Sequence, residues 1–411
     1  MDPEGQAGRG GVNPRDPLGI LMISHAYVTR ENRGKLERLG RRARVRALVP
    51  ARGDDIAGRQ ETTASDDAGY ELVPLPILGR TVPGTRWLFT RWRGAWDGFD
   101  PDAVVMEGEA WSLVALQALA CRRRYSPRSA FVLFGWESLR RPGWRGTATR
   151  PFYRLAIRAA AAIMVGSRDA RALFLGYGAD PSRLFVTPQL GLDPERLQAV
   201  GEEEKRARRR ALGIDEGAFV VGFAGRLVPE KGVHDLVAAA RGLAAGGGSL
   251  RLVLLGSGPL EGELRGQRLG EAEVTVLPAR PRHEIASFYQ SLDVFVLPSR
   301  STRTWKEQFG MVAAEAMACG VPVVGSSSGA IPDILGRTGL VFPEGDPRAL
   351  EAALGRLAGD ASLRARLGAA ARRRSARLFS HEAVADTTLR VVKIGLGMDE
   401  ERPVSYADDL D

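Results

Sequence analysis

The chain of 411 residues is long enough for two or three domains, and an apolar fraction of 44% with 49 glycines is typical of a globular α/β protein. No stretch reaches the ~18 uninterrupted apolar residues of a membrane span. Two cysteines far apart in sequence, Cys121 and Cys319, predict free thiols in a reducing compartment. The net charge of +9 favours phosphate-bearing partners, although a solubilising basic surface would have the same composition.

The first 16 residues lack the apolar core of a signal peptide, which predicts a disordered tail on a cytoplasmic protein. From Leu18 onward, short apolar runs alternate with amphipathic segments, so we predict parallel strands separated by helices. In the first half the predicted strands cover residues 18–24, 45–49, 103–107, 130–134, 162–166 and 184–187.

A charged segment poor in apolar residues interrupts this alternation near residues 190–215, after which the pattern resumes. Each half has the size of one doubly wound domain, in which ligands bind at the carboxyl ends of the strands. The predicted fold class is therefore α/β, with two doubly wound Rossmann-like domains. The predicted boundaries are a disordered tail over 1–16, a first domain over 17–192, a linker over 193–214, a second domain over 215–380, and a final helix and tail over 381–411.

Residues 85–99 of the first half place Trp87, Trp92 and Trp96 among Arg86, Arg91 and Arg93. This pattern predicts either an interfacial helix on an anionic membrane, at its inner face, or a helix packed within the fold with arginine stems over apolar surface. A second basic region follows, with twelve arginines and two acidic residues between Cys121 and Arg171. No nucleic-acid-binding module is recognised, so nucleic acid is not a predicted partner.

The sequence predicts no metal site. Asp100 and Asp102 form a DxD pair, but they precede a strand, away from the end where ligands bind, so we expect turn and capping residues. His234, His283 and His381 fall on separate predicted helices and form no ligand cluster.

The first turn of the second half, "GFAGRLVPEKGV", is a candidate phosphate site. Gly225 ends a strand, and Arg226 and Lys231 follow on a short loop before a helix that begins near Gly232. Glycine lets backbone approach a ligand, and two cations can neutralise a diphosphate, although basic loop residues are usually just solvated. The next strand ends in a similar turn, "GSGPL", which places Gly256 and Gly258 at the same sheet edge.

The segment "WKEQFGMVAAEAMACGVPVV" predicts a loop with Glu307 and Phe309 and then a helix from about Gly310 to Ala318. The first free amides of that helix, at Gly310, Met311 and Val312, would form an anion site. Glu315 lies inside the helix among alanines that allow close packing. Unless an arginine pairs with it, such a carboxylate needs hydroxyl or amide donors, which a ribose or hexose supplies. An exposed helix glutamate is the alternative.

Four motifs, "GRLVPEKG", "GSGPL", "DVFVLPS" and "KEQFGMVAAEAMACGVPVV", occur in the order found in a known family. The sequence resembles the retaining group 1 glycosyltransferases with the GT-B fold. The resemblance is strong over about residues 219–345 and weaker in the first half, where "DAVVMEGE", "AAIMVGSRDARALF" and "RLFVTPQLGLD" carry it. It implies a final helix that crosses back to the first domain.

The resemblance implies a nucleotide-sugar site in the cleft, mostly on the second domain. Arg226 and Lys231 would hold the donor diphosphate, Glu307 would contact the transferred sugar, and Glu315 would contact the ribose. As catalytic residues we therefore predict Arg226, Lys231 and Glu307, and as donor-binding residues Gly225, Gly256, Gly258, Phe309, Gly310, Met311, Val312 and Glu315. The expected co-substrates are a nucleotide-diphosphate sugar and a hydroxyl acceptor, with no other cofactor.

The first half departs from the family at the acceptor side. The family often has a histidine at the strand end that here reads "FVLFGWESLRR", and it has two glycines where "RENRGKLE" supplies only Gly34. We therefore expect His25, Gly34, Trp136 and Glu137 as acceptor-side residues. His25 ends the first strand, where a lone histidine is more often structural.

The predicted function is transfer of a hexose, with retention, from a UDP- or GDP-sugar to a hydroxyl acceptor. A bacterial pathway that makes polysaccharide, glycolipid or glycoconjugate is the expected setting. Two alternatives stay open on the sequence: a non-catalytic sugar-nucleotide-binding partner on the same fold, and a nucleotide-sugar epimerase.

Overall fold

The computed structural model describes residues 17–407 except 56–57, 65–68, 81–85, 216, 248 and 271, so the predicted tail over 1–16 lies outside the described residues. Its strands are β1 (Gly19–Ser24), β2 (Arg44–Pro50), β3 (Arg52–Asp55), β4 (Gly58–Glu61), β5 (Glu71–Leu75), β6 (Ile77–Arg80), β7 (Arg86–Phe89), β8 (Ala103–Glu107), β9 (Ala130–Gly135), β10 (Ala162–Val165), β11 (Leu184–Val186), β12 (Phe219–Ala224), β13 (Leu250–Leu255), β14 (Arg268–Leu269), β15 (Ala272–Glu273), β16 (Thr275–Leu277), β17 (Val294–Leu297), β18 (Val323–Ser326) and β19 (Leu340–Phe342).

Its α-helices are α1 (Gly34–Gly40), α2 (Leu113–Tyr125), α3 (Gly143–Ala159), α4 (Arg168–Gly176), α5 (Glu202–Ala211), α6 (Val233–Ala245), α7 (Glu261–Arg265), α8 (Ala286–Tyr289), α9 (Met311–Ala318), α10 (Ile331–Leu335), α11 (Pro347–Gly359), α12 (Ala361–Phe379) and α13 (His381–Gly395).

Two parallel sheets, one in each half of the chain, carry the fold. The first has seven strands in the order β11-β10-β9-β8-β1-β2-β5, and the second has six in the order β16-β13-β12-β17-β18-β19. Every strand pair within these two sheets is parallel. Helices cover both faces, so the central strands β1, β8 and β9 are buried along their whole length. The two-domain α/β prediction is confirmed, while the predicted domain boundaries stay predictions.

The charged segment between the two sheets contains helix α5. Its first turn holds Glu202, Glu203 and Glu204, and its last turn holds Arg208, Arg209 and Arg210. Acidic side chains near the positive end of the helix dipole and basic ones near the negative end stabilise a helix with little apolar surface. The charged segment that interrupts the strand pattern in the sequence therefore forms a helix in the structure.

The last helix returns to the first domain, as predicted. Helix α12 packs on α9 of the second domain, whereas α13 packs on α1, β9 and β10 of the first. Ser380 separates the two helices and caps α13 by accepting a hydrogen bond from the Ala383 amide. Buried side chains of α13, among them Ala385, Leu389 and Val392, belong to the hydrophobic core beneath the first sheet.

The predicted helix around residues 85–99 is wrong. Strand β7 pairs antiparallel with β6, and a short 3-10 turn at Arg93–Ala95 follows. The side chains of Trp87, Trp92 and Trp96 are only 1%, 7% and 9% exposed, and they join the first domain's core. These tryptophans therefore pack within the fold instead of facing a membrane. Within the described part of the chain, no helix combines the length and the apolar character that crossing a membrane requires.

Candidate active site

Loops from both sheets meet where strands of the two sheets end. On the second sheet, the turns that follow β12 and β13 lie against each other. A Cβ on Gly256 would stand 1.9 Å from the carbonyl oxygen of Gly225, and one on Gly258 would stand 2.4 Å from that of Leu227. Both positions therefore require glycine because backbone occupies the space of a side chain. The predicted Gly225, Gly256 and Gly258 thus share one sheet edge.

The loop after β12 places Lys231 against the loop after β17. Gly232 has a φ of 67°, and a Cβ there would be 1.8 Å from the carbonyl oxygen of Pro298. This close approach puts Lys231 Nζ 2.6 Å from Glu307 Oε2, and Ser299 Oγ donates a second hydrogen bond of 2.8 Å to the same oxygen. The structure therefore brings together two of the three residues that the sequence predicts as catalytic.

Glu307 is buried but keeps one oxygen unoccupied. Its side chain is 9% exposed, and Oε1 has no hydrogen-bond partner within the described residues. Its backbone is fixed as well, because Ala330 donates a hydrogen bond of 3.0 Å to the Glu307 carbonyl. The carboxylate thus has a fixed position and a free acceptor atom. Ser299, which donates to this carboxylate, was not predicted as a site residue, because a serine that follows a strand has no sequence feature that indicates such a contact.

Arg226 is more exposed than Lys231. Its side chain is 50% exposed, and its nearest acidic group is the Glu230 carboxylate on the same loop at 3.5 Å. Exposed pairs of this kind contribute little to stability. The Arg226 guanidinium therefore has no strong internal partner to release before it could bind an anion.

Helix α9 begins where the sequence predicts. Gly310 has a φ of 66°, in the left-handed region, and it forms the N-terminal cap before Met311. A Cβ on Gly310 would meet the Leu297 side chain at 2.8 Å. Phe309, predicted as donor-binding, is 5% exposed, and its ring packs against Trp136, Phe379 and Tyr406. Its side chain therefore anchors the loop instead of facing the cleft.

Glu315 is paired with an arginine. The sequence predicted that this carboxylate would need ligand hydroxyls only if no arginine paired with it. Arg282 donates to Glu315 Oε1 from Nε at 3.0 Å and from Nη2 at 2.9 Å, and the Tyr289 hydroxyl donates to Oε2 at 2.8 Å. Burial, with the Glu315 charge beside it, holds the pKa of Tyr289 well above its usual range. Both carboxylate oxygens are occupied, so ligand hydroxyls are not needed to satisfy this buried group. The ribose contact at Glu315 stays a prediction.

Glu315 borders a cavity of about 460 Å³, which we call the Glu315 cavity. Its walls come from both domains, since it is lined by Gly34, Arg38 and His381 on one side and by Arg282, His283 and Glu315 on the other. Arg282 also bridges the cleft, because its Nη1 donates to Asn32 Oδ1 at 2.8 Å. Gly34, expected beside the acceptor, therefore lies in the same cavity as the predicted ribose carboxylate.

A second cavity of about 370 Å³, which we call the Glu137 cavity, also lies between the domains. It is lined from the first domain by Glu109, Glu137 and Arg141 and from the second by Trp305, Lys306 and Gln308. The last three flank Glu307 in sequence, and Lys231 Nζ lies 4.7 Å from the centre of the Trp305 ring. The Glu137 cavity therefore adjoins the Lys231–Glu307 pair.

Glu137 has an unusual environment at the end of β9. Its Oε1 accepts hydrogen bonds from the Ala110 amide at 2.9 Å and the Tyr153 hydroxyl at 3.1 Å, whereas its buried Oε2 has no partner within the described residues. Burial, together with the nearby charge of Glu109, raises the pKa of Glu137 to about 8. A carboxyl group with such a pKa can exist in both protonation states near neutral pH.

The structure separates the four predicted acceptor-side residues. Trp136 Nε1 donates to Gln189 Oε1, and the Trp136 ring stacks at an angle on Phe309, so this side chain joins the domains. His25 follows β1, where its ring meets Trp87 edge-on. Burial lowers the pKa of His25, which favours the neutral form. Glu137 alone of the four lines the Glu137 cavity.

Asp102 has the capping role that the sequence predicts. Its Oδ2 accepts a hydrogen bond of 2.7 Å from the Gly19 amide at the start of β1. Within the residues that the structure describes, no group of three or more histidine, cysteine, aspartate or glutamate side chains could hold a metal ion.

Comparisons with known proteins agree with this architecture. The family model for group 1 glycosyl transferases matches residues 204–374, and a glycosyl transferase 4-like domain model matches residues 26–189. Among solved structures, sucrose-phosphate synthase from Thermosynechococcus elongatus has a TM-score of 0.68 at 20% identity, covering 92% of this chain and 98% of that one. HepE from Anabaena in complex with UDP has a TM-score of 0.62 at 19% identity, covering 92% and 100%. These structures define the fold as GT-B.

Two curated relatives are D-inositol 3-phosphate glycosyltransferases. The one from Stackebrandtia nassauensis is 39% identical over 53% of this chain and 50% of its own length. The one from Corynebacterium urealyticum is 35% identical over 56% and 55%. The chain therefore spans about half the length of the curated relatives it matches. Together with the two family models, these findings show that the chain belongs to the group 1 glycosyltransferases.

Proposed function

We propose that the protein is a retaining glycosyltransferase that moves a hexose from a UDP- or GDP-sugar to a hydroxyl acceptor, without a metal ion. The observation that carries the proposal is the Lys231–Glu307 pair, with its free Glu307 Oε1, beside the start of α9. A cation for the diphosphate and an acceptor atom for a sugar hydroxyl thus lie next to each other. The HepE crystal structures hold UDP and UDP-glucose, which supports a nucleotide sugar as donor.

In the proposed reaction, the bond between the anomeric carbon and the donor phosphate oxygen breaks. The acceptor oxygen bonds to that carbon on the same face, and its proton passes to a donor phosphate oxygen, which releases a nucleoside diphosphate. Negative charge that builds up on the leaving diphosphate is stabilised by Lys231, Arg226 and the free amides at the start of α9. Lys231 and the start of α9 are held in place by the fold, so they stabilise this charge without rearrangement.

A double displacement through a carboxylate is the competing route. It would use Glu307 as a nucleophile, but the ion pair with Lys231 and the hydrogen bond from Ser299 reduce the nucleophilicity of this carboxylate. We therefore assign Glu307 to binding the transferred hexose. The same proposal includes a cytoplasmic location and a role in polysaccharide or glycoconjugate synthesis. It names either UDP or GDP as the nucleotide of the donor.

The test is donor turnover by Glu307→Gln, with Glu203→Gln on the exposed face of α5 as the matched control. The substitution keeps the shape but weakens the ion pair, so we expect the kcat for transfer from UDP-glucose or GDP-mannose to fall by roughly 10²-fold. The Kd for free UDP or GDP should change little, because Glu307 is assigned to the sugar. Circular dichroism checks that both variants fold.

Three outcomes separate the candidate functions. Donor binding without turnover by the wild type would favour a non-catalytic binding partner. An isomerised nucleotide sugar, seen by NMR without any acceptor product, would identify an epimerase. If neither UDP- nor GDP-sugars bind in calorimetry, the proposed function is wrong.

A further inference from the structure

The loop that carries Glu307 is held from both domains. It runs over residues 298–310 between β17 and α9 and contains neither helix nor strand, so its position depends on contacts with its surroundings. The second domain holds Glu307 itself, through Lys231 and Ser299 at the carboxylate and Ala330 at the backbone carbonyl. The first domain holds the residues on either side of Glu307.

Lys306, which precedes Glu307, is paired with Asp169 of the first domain. The Lys306 Nζ atom lies 2.9 Å from Asp169 Oδ2. Asp169 stands in the first turn of α4, and Ser167 fixes the start of that helix by accepting a hydrogen bond from the Ala170 amide. The Lys306 and Asp169 side chains are 28% and 38% exposed. A pair that is exposed to this extent contributes little to stability, so its removal should leave the fold intact.

Trp136 of the first domain packs against Phe309, two residues after Glu307. The centres of the two rings are 5.9 Å apart, and the ring planes meet at 59°. A Cβ on Gly166, which follows β10, would stand 2.3 Å from the Trp136 ring, so the ring fits only because this residue is glycine. The first domain therefore contacts the loop both before and after Glu307.

A buried hydrogen-bond network fixes the orientation of Trp136. Trp136 Nε1 donates to Gln189 Oε1 at 2.5 Å, and Gln189 Nε2 donates to Glu107 Oε2 at 2.9 Å. Glu107 also accepts from the Tyr27 hydroxyl at 2.8 Å and is paired with Lys35. The last four side chains of this network are at most 3% exposed, and within the described residues none of their polar atoms lacks a partner. Because a buried polar group that loses its partner costs free energy, the network favours one orientation of Gln189 and of the indole.

We propose that Trp136 and Asp169 are positioning residues for Glu307, and that Gln189 acts through Trp136. They hold the loop so that Glu307 Oε1, which has no partner within the described residues, faces the transferred hexose. This inference rests on the proposed function, which assigns Glu307 to that sugar. It gives Trp136 a different role from the acceptor contact that the sequence predicts.

Hydrolysis of the donor by water distinguishes positioning from acceptor binding. In this reaction the bond between the anomeric carbon and the donor phosphate oxygen breaks, water oxygen bonds to that carbon, and the proton of the water passes to the released diphosphate. No acceptor takes part, so losing an acceptor contact leaves the rate of hydrolysis unchanged. Displacing Glu307 lowers this rate, and because a shift of about 1 Å can cost up to 10²-fold, we expect a fall of roughly tenfold or more.

The experiment compares Asp169→Ala, Trp136→Phe and Gln189→Leu with the wild type. It measures kcat for hydrolysis of UDP-glucose or GDP-mannose, the Kd of that donor, and the Kd of the free nucleotide. In each variant kcat should fall and the Kd of the donor should rise, while the Kd of UDP or GDP stays at the wild-type value. Trp136→Phe keeps a ring beside Phe309 but removes the Nε1 donor, so it should resemble Gln189→Leu. In a Glu307→Gln background, Asp169→Ala should have little further effect, because the group that it positions has already been replaced.

Two variants serve as matched controls. Glu204→Ala removes an acidic residue from the first turn of α5, where Glu204 is paired with Arg208, just as Asp169→Ala does on α4. Trp144→Phe changes a tryptophan of α3 that is 76% exposed. Both controls should hydrolyse the donor at the wild-type rate, and thermal unfolding followed by circular dichroism compares the stability of all variants.

The proposal is overturned if Asp169→Ala and Trp136→Phe hydrolyse the donor as fast as their controls. It is also overturned if Asp169→Ala lowers kcat by the same factor with and without Glu307→Gln, because its effect would then not pass through Glu307. A wild type that neither binds nor turns over UDP- or GDP-sugars would instead contradict the proposed function, so the two failures are distinguishable.

Discussion

Glu137 is the residue whose environment departs most from what the sequence alone indicates. The segment "FVLFGWESLRR" places it after a strand, which predicts a position at the cleft but neither its burial nor its partners. The structure supplies those through residues distant in sequence, since Ala110 and Tyr153 both donate to Glu137 Oε1.

The raised pKa of Glu137 has a consequence for stability. With a pKa of about 8, the folded protein holds a proton that the unfolded chain releases near its ordinary value of 4.5. Because the folded state binds more protons across this window, the free energy of unfolding falls as pH rises from about 4.5 to 8. The charged and titratable groups around this carboxyl are Glu109, Tyr153 and Arg141.

We predict that Glu137→Gln flattens this pH dependence. The glutamine cannot ionise, so its Tm should fall less than that of the wild type between pH 6 and pH 9. Differential scanning fluorimetry across the range measures both curves, with Glu203→Gln on α5 as the control. Parallel curves of Tm against pH for the wild type and Glu137→Gln would contradict the raised pKa of Glu137.

Glu315 illustrates how far residue-level prediction extends. The sequence left two alternatives, a buried carboxylate that needs a donor or an arginine and an exposed helix glutamate, and the structure shows the buried one, paired with an arginine. The identity of the partners does not follow, because Arg282 and Tyr289 lie 33 and 26 positions away on elements whose packing is set by the sheet. Neither "PRHE" nor "SFYQ" distinguishes these residues from ordinary surface and core positions.

At the scale of elements, the strands were the easiest part to predict. All six strands predicted in the first half are present, and each of their ends lies within one residue of its predicted position. They were predictable because strands buried on both faces give continuous apolar runs. The prediction of a helix at residues 85–99 was wrong because tryptophans and arginines alternate in the same way in an amphipathic helix and in a buried hairpin. In the structure, the side chain of Gln117 on α2 holds β7, because it accepts a hydrogen bond from the Phe89 amide and donates one to the Phe89 carbonyl.

Helix α9 depends on the backbone conformation of one residue before it. Gly310 has a φ of 66°, and a Cβ there would meet Leu297 at 2.8 Å. We predict that Gly310→Ala destabilises the protein by about 1–3 kcal/mol, because a non-glycine residue is strained in this region. It should also weaken UDP binding, since it displaces the amides that begin the helix.

Urea denaturation and calorimetry measure these two effects. Gly262→Ala is the control, because this glycine of α7 has open space around its Cβ position. An unchanged midpoint and UDP affinity in Gly310→Ala would show that the helix start tolerates a side chain.

At the scale of the whole molecule, the chain near its last described residues joins both domains and the site loop. Tyr406 is 1% exposed, and its ring packs against Phe309 and Phe379. Its hydroxyl donates to the Gly166 carbonyl of the first domain, and its own carbonyl accepts from Arg374 Nη2 at 2.7 Å. This role is not predictable from "RPVSYADD", because that segment has neither apolar periodicity nor a recognisable motif.

We predict that Tyr406→Ala lowers the free energy of unfolding by about 3–5 kcal/mol, as expected for loss of a buried aromatic side chain. It should also raise the KM for donor, since Phe309 loses a packing partner next to Glu307. Tyr125→Ala, at the exposed end of α2, is the matched control. Equal unfolding midpoints for the two variants would mean that Tyr406 does not hold the domains together.

The return of α13 to the first domain limits how the two halves can move. The chain passes between the domains once after Leu192 and again at Ser380, and these passages are tied together. The Leu192 amide bonds the Phe379 carbonyl at 2.7 Å, and the His381 amide bonds the Leu192 carbonyl at 2.9 Å. Two connections that are hydrogen-bonded to each other resist sliding and separation of the two domains. They allow the domains to rotate about the line that passes through both connections. We therefore expect any change in the angle between the two domains to be a hinge rotation about this line.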